Sequence, residues 1–480
     1  MAPFTQWLPA RSDQTSDLVL SVVAERAAGL KAAGTALEHA LVVEGFELLA
    51  EKGDLQRVNG QPSLSTLRLR VSTAPLSSIG HGCDVLAFLT EDVDHLRSFG
   101  LGRGSVLLGE TRTLAKLPPE AIPAGVITYP VPFTDLGSLF GKGFSERSMM
   151  TIGVLTELLR VPWETVRSQV TCGLRRRCFD VGVAYAKENL AKRDVFALSM
   201  PGVARRHVLL DAHQAVLLGL GMATCESGAS SLNGLDNSPE EWVAERVRAA
   251  RQLVSLLKAR GIPGVMVYRG PQGRFMVMVG TADPTLVRAE QPNSSPRILV
   301  AGDLVDTVRL VGVAQRLVSA CDDPVWVMVD QGLAHRRQSV PIQRLEEVAE
   351  EMREGDRRGA ASPCSLLPLS AERDGGPGAD IGYVTWGAAQ GVVREAIGLC
   401  RGFRMNVAAL YPKALSPVPI EELESFAASV KHLVVVEPNR ARQYTTLVKA
   451  WTNLEPSTLM PMPGHGLTPM DIFLREGLGV

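Results

Sequence analysis

The sequence is short of aromatics, of paired cysteines, of long apolar runs and of any charge excess. Phe, Trp and Tyr make up 5% of its 480 residues, and 50 Lys and Arg stand against 51 Asp and Glu, a formal net charge of -1. With no basic field to condense onto nucleic acid or anionic lipid, neither is expected as a partner. No apolar run reaches the ~20 residues that span a bilayer. Residues 1–13 lack the charged-then-apolar order of a signal peptide, so the expected location is the cytoplasm. The seven cysteines, Cys83, Cys172, Cys178, Cys225, Cys321, Cys364 and Cys400, form no C-x-x-C pair. Their odd number and scatter exclude a disulfide framework and an iron-sulfur cluster held by this chain. No two of the 8 histidines stand at metal-ligand spacing with a carboxylate, so no metal bound by this chain alone is expected.

What is present reads as globular α/β. Hydrophobic residues reach 45%, and the length calls for two or three domains, each with its own core. "SVVAERAAGLKAAGTALEHALVVEGFELLA" carries apolar residues at helical spacing. "CDVLAFL" and "GSVLLG" predict short buried strands, with "DVDHLRSFG" between them as a compact helix closed by Gly100. "MMTIGVLTELLRVPWETVRSQV" predicts two helices broken at Pro162, and "CFDVGVAYAKENLAKRD" a third. From Val208 to Val340, strands at "GVMVYRG", "RFMVMVG", "PRILVAG" and "PVWVMVD" are joined by helices at "AERVRAARQLVSLLKAR" and "TVRLVGVAQRLVSA". The charged "RLEEVAEEMREGDRRG" predicts a solvated helix, and "ERDGGPGAD" a flexible linker. The remainder spells strand, helix, strand, helix, strand, the order of parallel strands with right-handed crossovers. The fold class expected is α/β, three open parallel-sheet domains in series.

That last segment has long, specific motifs: a strand ending in Thr385, Trp386 and Gly387, the stretch Leu410 to Pro419 centred on "YPKALSPVP", and "VVVEPN" followed by Gln443. The terminal "GHGLTPMDI" continues them, and together they resemble the transketolase C-terminal-like domain of 2-oxoacid:ferredoxin oxidoreductase α subunits. Upstream, "PRILVAGDLVDTVRLVGVAQRL" and "PVWVMVDQGLAH", with Asp330 and Gln331 after a buried strand, resemble the late part of that family's thiamine-pyrimidine-binding domain. "RLRVSTAPLSSIGHGCDVLAFL" and "IGVLTELLRVPWETV" resemble its fused γ-type domain. The resemblance implies a γ-type domain at 14–200, a shortened pyrimidine-binding-like domain at 205–342, a charged helix and linker at 343–376, and the C-terminal domain at 377–480.

In that family an α-type chain pairs with a β-type chain holding thiamine diphosphate, its magnesium and an iron-sulfur cluster. The resemblance therefore implies oxidative decarboxylation of a 2-oxoacid, with CoA as candidate acyl acceptor. Electrons would leave through the partner to ferredoxin or another acceptor, and this chain alone would bind no cofactor. The alternative is a catalytically degenerate pseudo-subunit that keeps the fold and the subunit contact.

Thiamine activation needs a carboxylate on the aminopyrimidine, because that bond favours the tautomer that takes the thiazolium proton. Relatives supply a Glu downstream of a Tyr-Pro-Ile-Thr-Pro segment. This sequence has neither; "GMATCESGASSLNG" stands there, leaving Glu226 as the stand-in and a surface carboxylate as the plainer reading. A 2-oxoacid carboxylate suits the planar fork of Arg. "LVRAEQP" offers Arg288, Glu290 and Gln291 in place of the family's Arg-Thr-Glu-Gln-like segment, and Arg269 with Gly270 resembles its Arg-Gly-Gly-Pro turn. Surface arginines after turns are the competing reading. "VVAERAAGLKAAG" keeps Gly29 and Gly34, with Ala and Glu where paired glycines would approach a phosphate. Gly100, Gly102 and Gly104 follow a helix and precede a strand, the reverse of the dinucleotide order, which disfavours a Rossmann-type dehydrogenase. His213 reads as a helix N-terminal residue, His335 as part of a solvated tip, and "GLRRRCF" as a surface or subunit contact.

Overall fold

The computed structural model describes residues 15–25, 27–55, 64–93, 95–138, 140, 144–201, 206–224, 241, 243, 244, 247, 248, 251, 265–269, 275–279, 297–321, 325–357, 370–438, 440, 442–461 and 466–477. The architecture is mixed α/β. The chain divides into two compact units, Met1–Leu209 with Arg337–Ser339, and Leu210–Arg336 with Val340–Val480. Among the described residues no helix is long and apolar enough to cross a membrane.

The first unit is built on strands β1 (Asp17–Ala24), β2 (Glu47–Leu55), β3 (Leu64–Ser72), β4 (Cys83–Leu89), β5 (Leu101–Glu110) and β6 (Ile127–Val131). The chain returns to the sheet with β7 (His207–Asp211) and, much later, β12 (Arg336–Pro341). The order is β6-β5-β4-β1-β3-β2-β12-β7, with β1, β4, β5 and β6 parallel and β3 antiparallel to both β1 and β2. The helical spacing read across residues 21–50 belongs only to the helix Ala27–Val43; on either side the chain is β1 and β2. Val22 and Val23 lie in a strand buried on both faces, so the run shows no alternation to mark it as β. The predicted strands at 83–89 and 104–109 are present, and Leu96–Phe99 is a short 3-10 turn closed by Gly100.

Buried polar groups sew the returning strands in place. Glu47 accepts the Ser339 hydroxyl at 3.2 Å and faces His207 Nε2 at 3.0 Å, while Ser339 Oγ accepts the Leu48 N–H at 2.7 Å. A shift of register by one residue would turn these groups into apolar packing without partners, so the ladder specifies the pairing. On one face of the sheet, the helices Phe144–Leu158 and Gly173–Asn189 cross at two glycines. A Cβ at Gly153 would sit 2.3 Å from Phe179 O, and one at Gly182 would sit 2.1 Å from Met150 O.

The second unit holds two sheets. Strands β8 (Val265–Arg269), β9 (Phe275–Val279), β10 (Arg297–Val300) and β11 (Val325–Val329) form one, completed by β16 (Ala414–Ser416) in the order β16-β10-β11-β9-β8. β10 and β11 are parallel; β8, β9 and β16 run antiparallel to their neighbours. The other sheet contains β13 (Glu372–Asp374), β14 (Ala379–Val384), β15 (Val407–Tyr411), β17 (Val430–Val436) and β18 (Ser457–Leu459), in the order β13-β15-β14-β17-β18. Its core strands β15, β14, β17 and β18 are parallel, as the strand and helix alternation predicts. Where the sequence reads as linker, β13 pairs antiparallel with β15 as an edge strand, and Arg401 bonds Asp374 at 2.8 Å. Gly and Pro around a three-residue strand hide it from composition-based reading.

Gly182→Ala should lower stability by about 1–3 kcal/mol through overpacking against backbone that has no room to yield. Gly173→Ala, in open space on the same helix, should change it by less than about 1 kcal/mol. Urea titrations followed by circular dichroism would read both; equal midpoints would show that the crossing is not as close as described.

Candidate functional site

Parallel strands deliver their C-terminal ends to one edge of a sheet, and that edge is where open α/β sheets bind ligands. In the second unit β10 is followed by Ala301 and Gly302, β11 by Asp330, and β14 by Thr385, Trp386 and Gly387. Asp330 is buried; its Oδ1 accepts the Leu333 N–H at 2.9 Å and its Oδ2 the Ala388 N–H at 2.6 Å. Gly387 sits at φ 63°, and a Cβ there would be 2.2 Å from Asp330 Oδ2. The "TWG" turn therefore needs its glycine for both conformation and space. Asp306, on the helix Leu304–Cys321, accepts the Gly302 N–H at 3.0 Å and holds Lys413 Nζ at 2.7 Å. Lys413 is the third residue of "YPKALSPVP", so that motif's cation is spent on a buried carboxylate.

Deeper along the same edge lies a group of buried polar side chains. Glu437 follows β17; its Oε1 accepts the N–H and the hydroxyl of Thr445 at 2.7 and 3.0 Å, and its Oε2 has no hydrogen-bond partner in the protein. Trp386 Nε1, Gln390 Nε2 and the Tyr444 hydroxyl, all buried, are also without one. The rings of Trp386 and Tyr444 are tilted at 59° with centroids 6.5 Å apart. Burial, with the Glu437 charge behind it, pushes the Tyr444 phenol up, so it stays protonated and able to donate. Trp386 and Tyr444 so bring two unspent donors together, with the Glu437 charge close enough to act on Tyr444.

The first unit has its own strand-end crevice, a cavity of about 300 Å³ at the ends of β1, β4, β5 and β6. It is lined by Glu25, Thr90, Glu91, Glu110, Thr134 and Arg147, among others. Thr90 donates to Glu25 at 3.2 Å, and Glu110 Oε2 accepts both the N–H and hydroxyl of Thr134 at 2.8 Å. Among the described lining residues, three carboxylates stand against one guanidinium, a balance unfavourable for a phosphate.

Of the site residues expected from sequence, Arg269 is the last residue of β8, paired in register with Phe275 of β9. Glu226, Gly270, Arg288, Glu290 and Gln291 lie outside the described residues. The groups the structure does bring together, Asp330 with Gly387 and Glu437 with Tyr444 and Trp386, sit in or beside motifs quoted for the family resemblance. The sequence singles out those motifs without showing which atoms meet. Asp306 and Gln390 carry no sequence signal beyond helical spacing.

No family profile and no curated protein matches the chain. Among solved structures, it superposes on a 2-oxoglutarate:ferredoxin oxidoreductase from Magnetococcus marinus, described with 2-oxoglutarate, coenzyme A and succinyl-CoA bound. The TM-score is 0.72 and the identity 19%, with 97% of this chain and 100% of that chain covered. A keto/oxoacid ferredoxin oxidoreductase γ subunit from Geobacter sulfurreducens aligns with 36% of this chain and 98% of its own, at 20% identity and a TM-score of 0.30. A pyruvate oxidoreductase subunit from Thermotoga maritima aligns with 35% of this chain and 97% of its own, at 16% identity and a TM-score of 0.29. The first likeness establishes the fold: nearly the whole chain shares the architecture of that oxidoreductase chain.

Asp330→Ala should cost about 3 kcal/mol, since two buried N–H groups lose a charged acceptor. Gly387→Ala should destabilise through the same contact, and the double variant should cost less than the two singles together. Strict additivity in denaturant titrations would show that the two residues do not act on each other.

Proposed function

We propose that the chain is the α-type subunit of a thiamine-dependent 2-oxoacid:acceptor oxidoreductase, active only with a β-type partner. What supports the reading is the end-to-end fold match, in one continuous order, to a chain that acts on 2-oxoglutarate. The reaction is the oxidative decarboxylation of a 2-oxoacid, with CoA as the acyl acceptor and ferredoxin or a similar carrier taking the electrons. The β-type partner supplies thiamine diphosphate, magnesium and the iron-sulfur cluster. Arg288, with Glu290 and Gln291, and Arg269, with Gly270, are the candidates to hold the substrate carboxylate.

Among the described residues, the buried carboxylates closing β10 and β11 do not fit the aminopyrimidine. Asp330 gives both oxygens to N–H groups, and Asp306 is held by Gly302, Lys413 and Arg309. Glu226 is the proposed stand-in. This mismatch, together with the acidic crevice of the first unit, favours a second reading, a degenerate subunit that keeps fold and subunit contact without turnover.

Co-purification with a β-type chain, followed by assay of bound thiamine diphosphate and of 2-oxoacid-dependent viologen reduction, separates the two. The first reading expects cofactor, turnover, and a loss of about tenfold or more in kcat/KM for Arg288→Ala, the size of one charge-assisted contact. An intact complex with neither cofactor nor turnover would sink it in favour of the second.

A further inference from the structure

A second cavity in the first unit lies away from every strand end, on the helical layer. Its volume is about 410 Å³, within the ~300–1,000 Å³ of small-molecule sites. The helix Ala27–Val43 forms one wall through Lys31, Thr35 and His39, and residues 169–175 form the other. Cys172 and Arg175 belong to that second wall, and Ala32, Ala36, Met149 and Val170 provide apolar surface.

Positive charge gathers here among the described residues. Behind the helix wall, fully buried Glu38 is ion-paired with Arg337 and lies 3.2 Å from Lys52 Nζ. One carboxylate therefore serves two cations, and Lys31 adds a third. The Lys52 ammonium is pushed down by burial, with Arg337 and Lys31 as like-charged neighbours acting in the same direction. His39, on the cavity wall, faces Arg337 at 3.4 Å. Across the cavity Arg175 extends from the first turn of the helix Gly173–Asn189, whereas its neighbour Arg176 folds back onto Val170 O at 2.8 Å. The arginine run that reads from sequence as a plain surface is thus divided, and one member turns into the cleft.

The Cys172 sulfur is drawn down from an ordinary thiol by the N–H groups of Arg175 and Leu174, with the Arg175 charge assisting. An incoming anion would rely on the side chains. Lys31 and Arg175 face the same space from opposite walls, a geometry that two or more negative charges on one ligand satisfy better than a single carboxylate does.

We propose that this cleft binds a phosphate-bearing small molecule, its phosphate held between Lys31, His39 and Arg175 and its organic part resting on Ala32, Ala36 and Met149. The site is independent of the oxidoreductase reading, since it lies in neither strand-end group.

Exposed Cys172 provides a local reporter, because alkylation rates follow the thiolate fraction. The full chain would be treated with iodoacetamide across a pH series, with modification of Cys172 followed by peptide mass spectrometry. Alone, Cys172 should label at lower pH than an ordinary thiol of about 8.5. Buried Cys83, pushed up to about 11 by burial, should stay unlabelled. Inorganic pyrophosphate seated beside the sulfur should raise its midpoint by about one unit, and so slow labelling at neutral pH roughly tenfold. KCl at equal ionic strength should not. The protection should vanish in the Lys31→Ala, Arg175→Ala double variant and persist in Arg177→Ala, which lies outside the cleft. Equal protection by KCl, or protection that survives the double variant, would overturn the site. Equal protection by succinate would overturn the phosphate class. Should the double variant not fold, Lys31→Gln is read in its place.

Discussion

At the end of β11, one carboxylate receives two backbone N–H groups, that of Leu333 in its own following turn and that of Ala388 beyond β14. Asp330 thereby fixes the exits of strands from two different sheets of the same unit. Charge-assisted bonds of 2.9 and 2.6 Å in a buried setting are stronger than neutral ones, and here they hold a turn that has a positive φ at Gly387. Trp386 is the preceding residue and Gln390 opens the following helix, so both depend on that turn for their placement. Gln390 in turn packs against Gly302, where a Cβ would come within 2.2 Å of its Oε1. Trp386 and Gln390 are thus positioned by a contact made elsewhere on the edge, and the geometry of this turn rests on the aspartate and the glycine together.

Much of this fold is legible in the sequence where its signal is local. Pro162 separates two helices as expected, the "CDVLAFL" strand spans Cys83–Leu89, and the C-terminal alternation of strands and helices is parallel as its spacing requires. The misread elements are those whose state depends on distant partners. β1 is apolar on both faces, so a helical template fits its residues as well as a strand does, and only pairing with β3 and β4 decides the matter. β13 has three residues among glycines and becomes a strand because β15 presents an open edge. β12 returns to the first sheet from well over a hundred residues away, guided by Ser339 and Glu47, an encounter that no sequence window contains. The candidate site follows the same rule. Thr385 to Gly387 and "VVVEPN" stand out as motifs, yet the meeting of Asp330 with Ala388 is a tertiary fact.

Charge is distributed within the first unit in a way its near-zero total conceals. At the strand ends, the described lining residues Glu25, Glu91 and Glu110 stand against Arg147. On the helical layer, Lys31 and Arg175 line a cleft backed by Lys52 and Arg337, with Glu38 as their shared counter-charge. An anion approaching this unit is repelled from the edge where open sheets usually bind phosphates and attracted to the helical face. Screening over about 8–10 Å at physiological salt keeps the two fields separate, so the overall charge of -1 says little about either.

The same accounting bears on how the chain would take part in a redox reaction. A carboxylate oxygen that already accepts a backbone N–H gives up a bond worth about 1.5–3 kcal/mol if it turns to another donor. Asp330 and Asp306 are committed in this way. Glu437 differs: Oε1 accepts the N–H and hydroxyl of Thr445, while Oε2 has no hydrogen-bond partner among the described residues. Of the three, Glu437 alone keeps an oxygen without a partner among the described residues, so a further donor would bond there rather than at either aspartate. The Tyr444 phenol, held protonated first by burial and then by the Glu437 charge, is the buried donor that this carboxylate acts on.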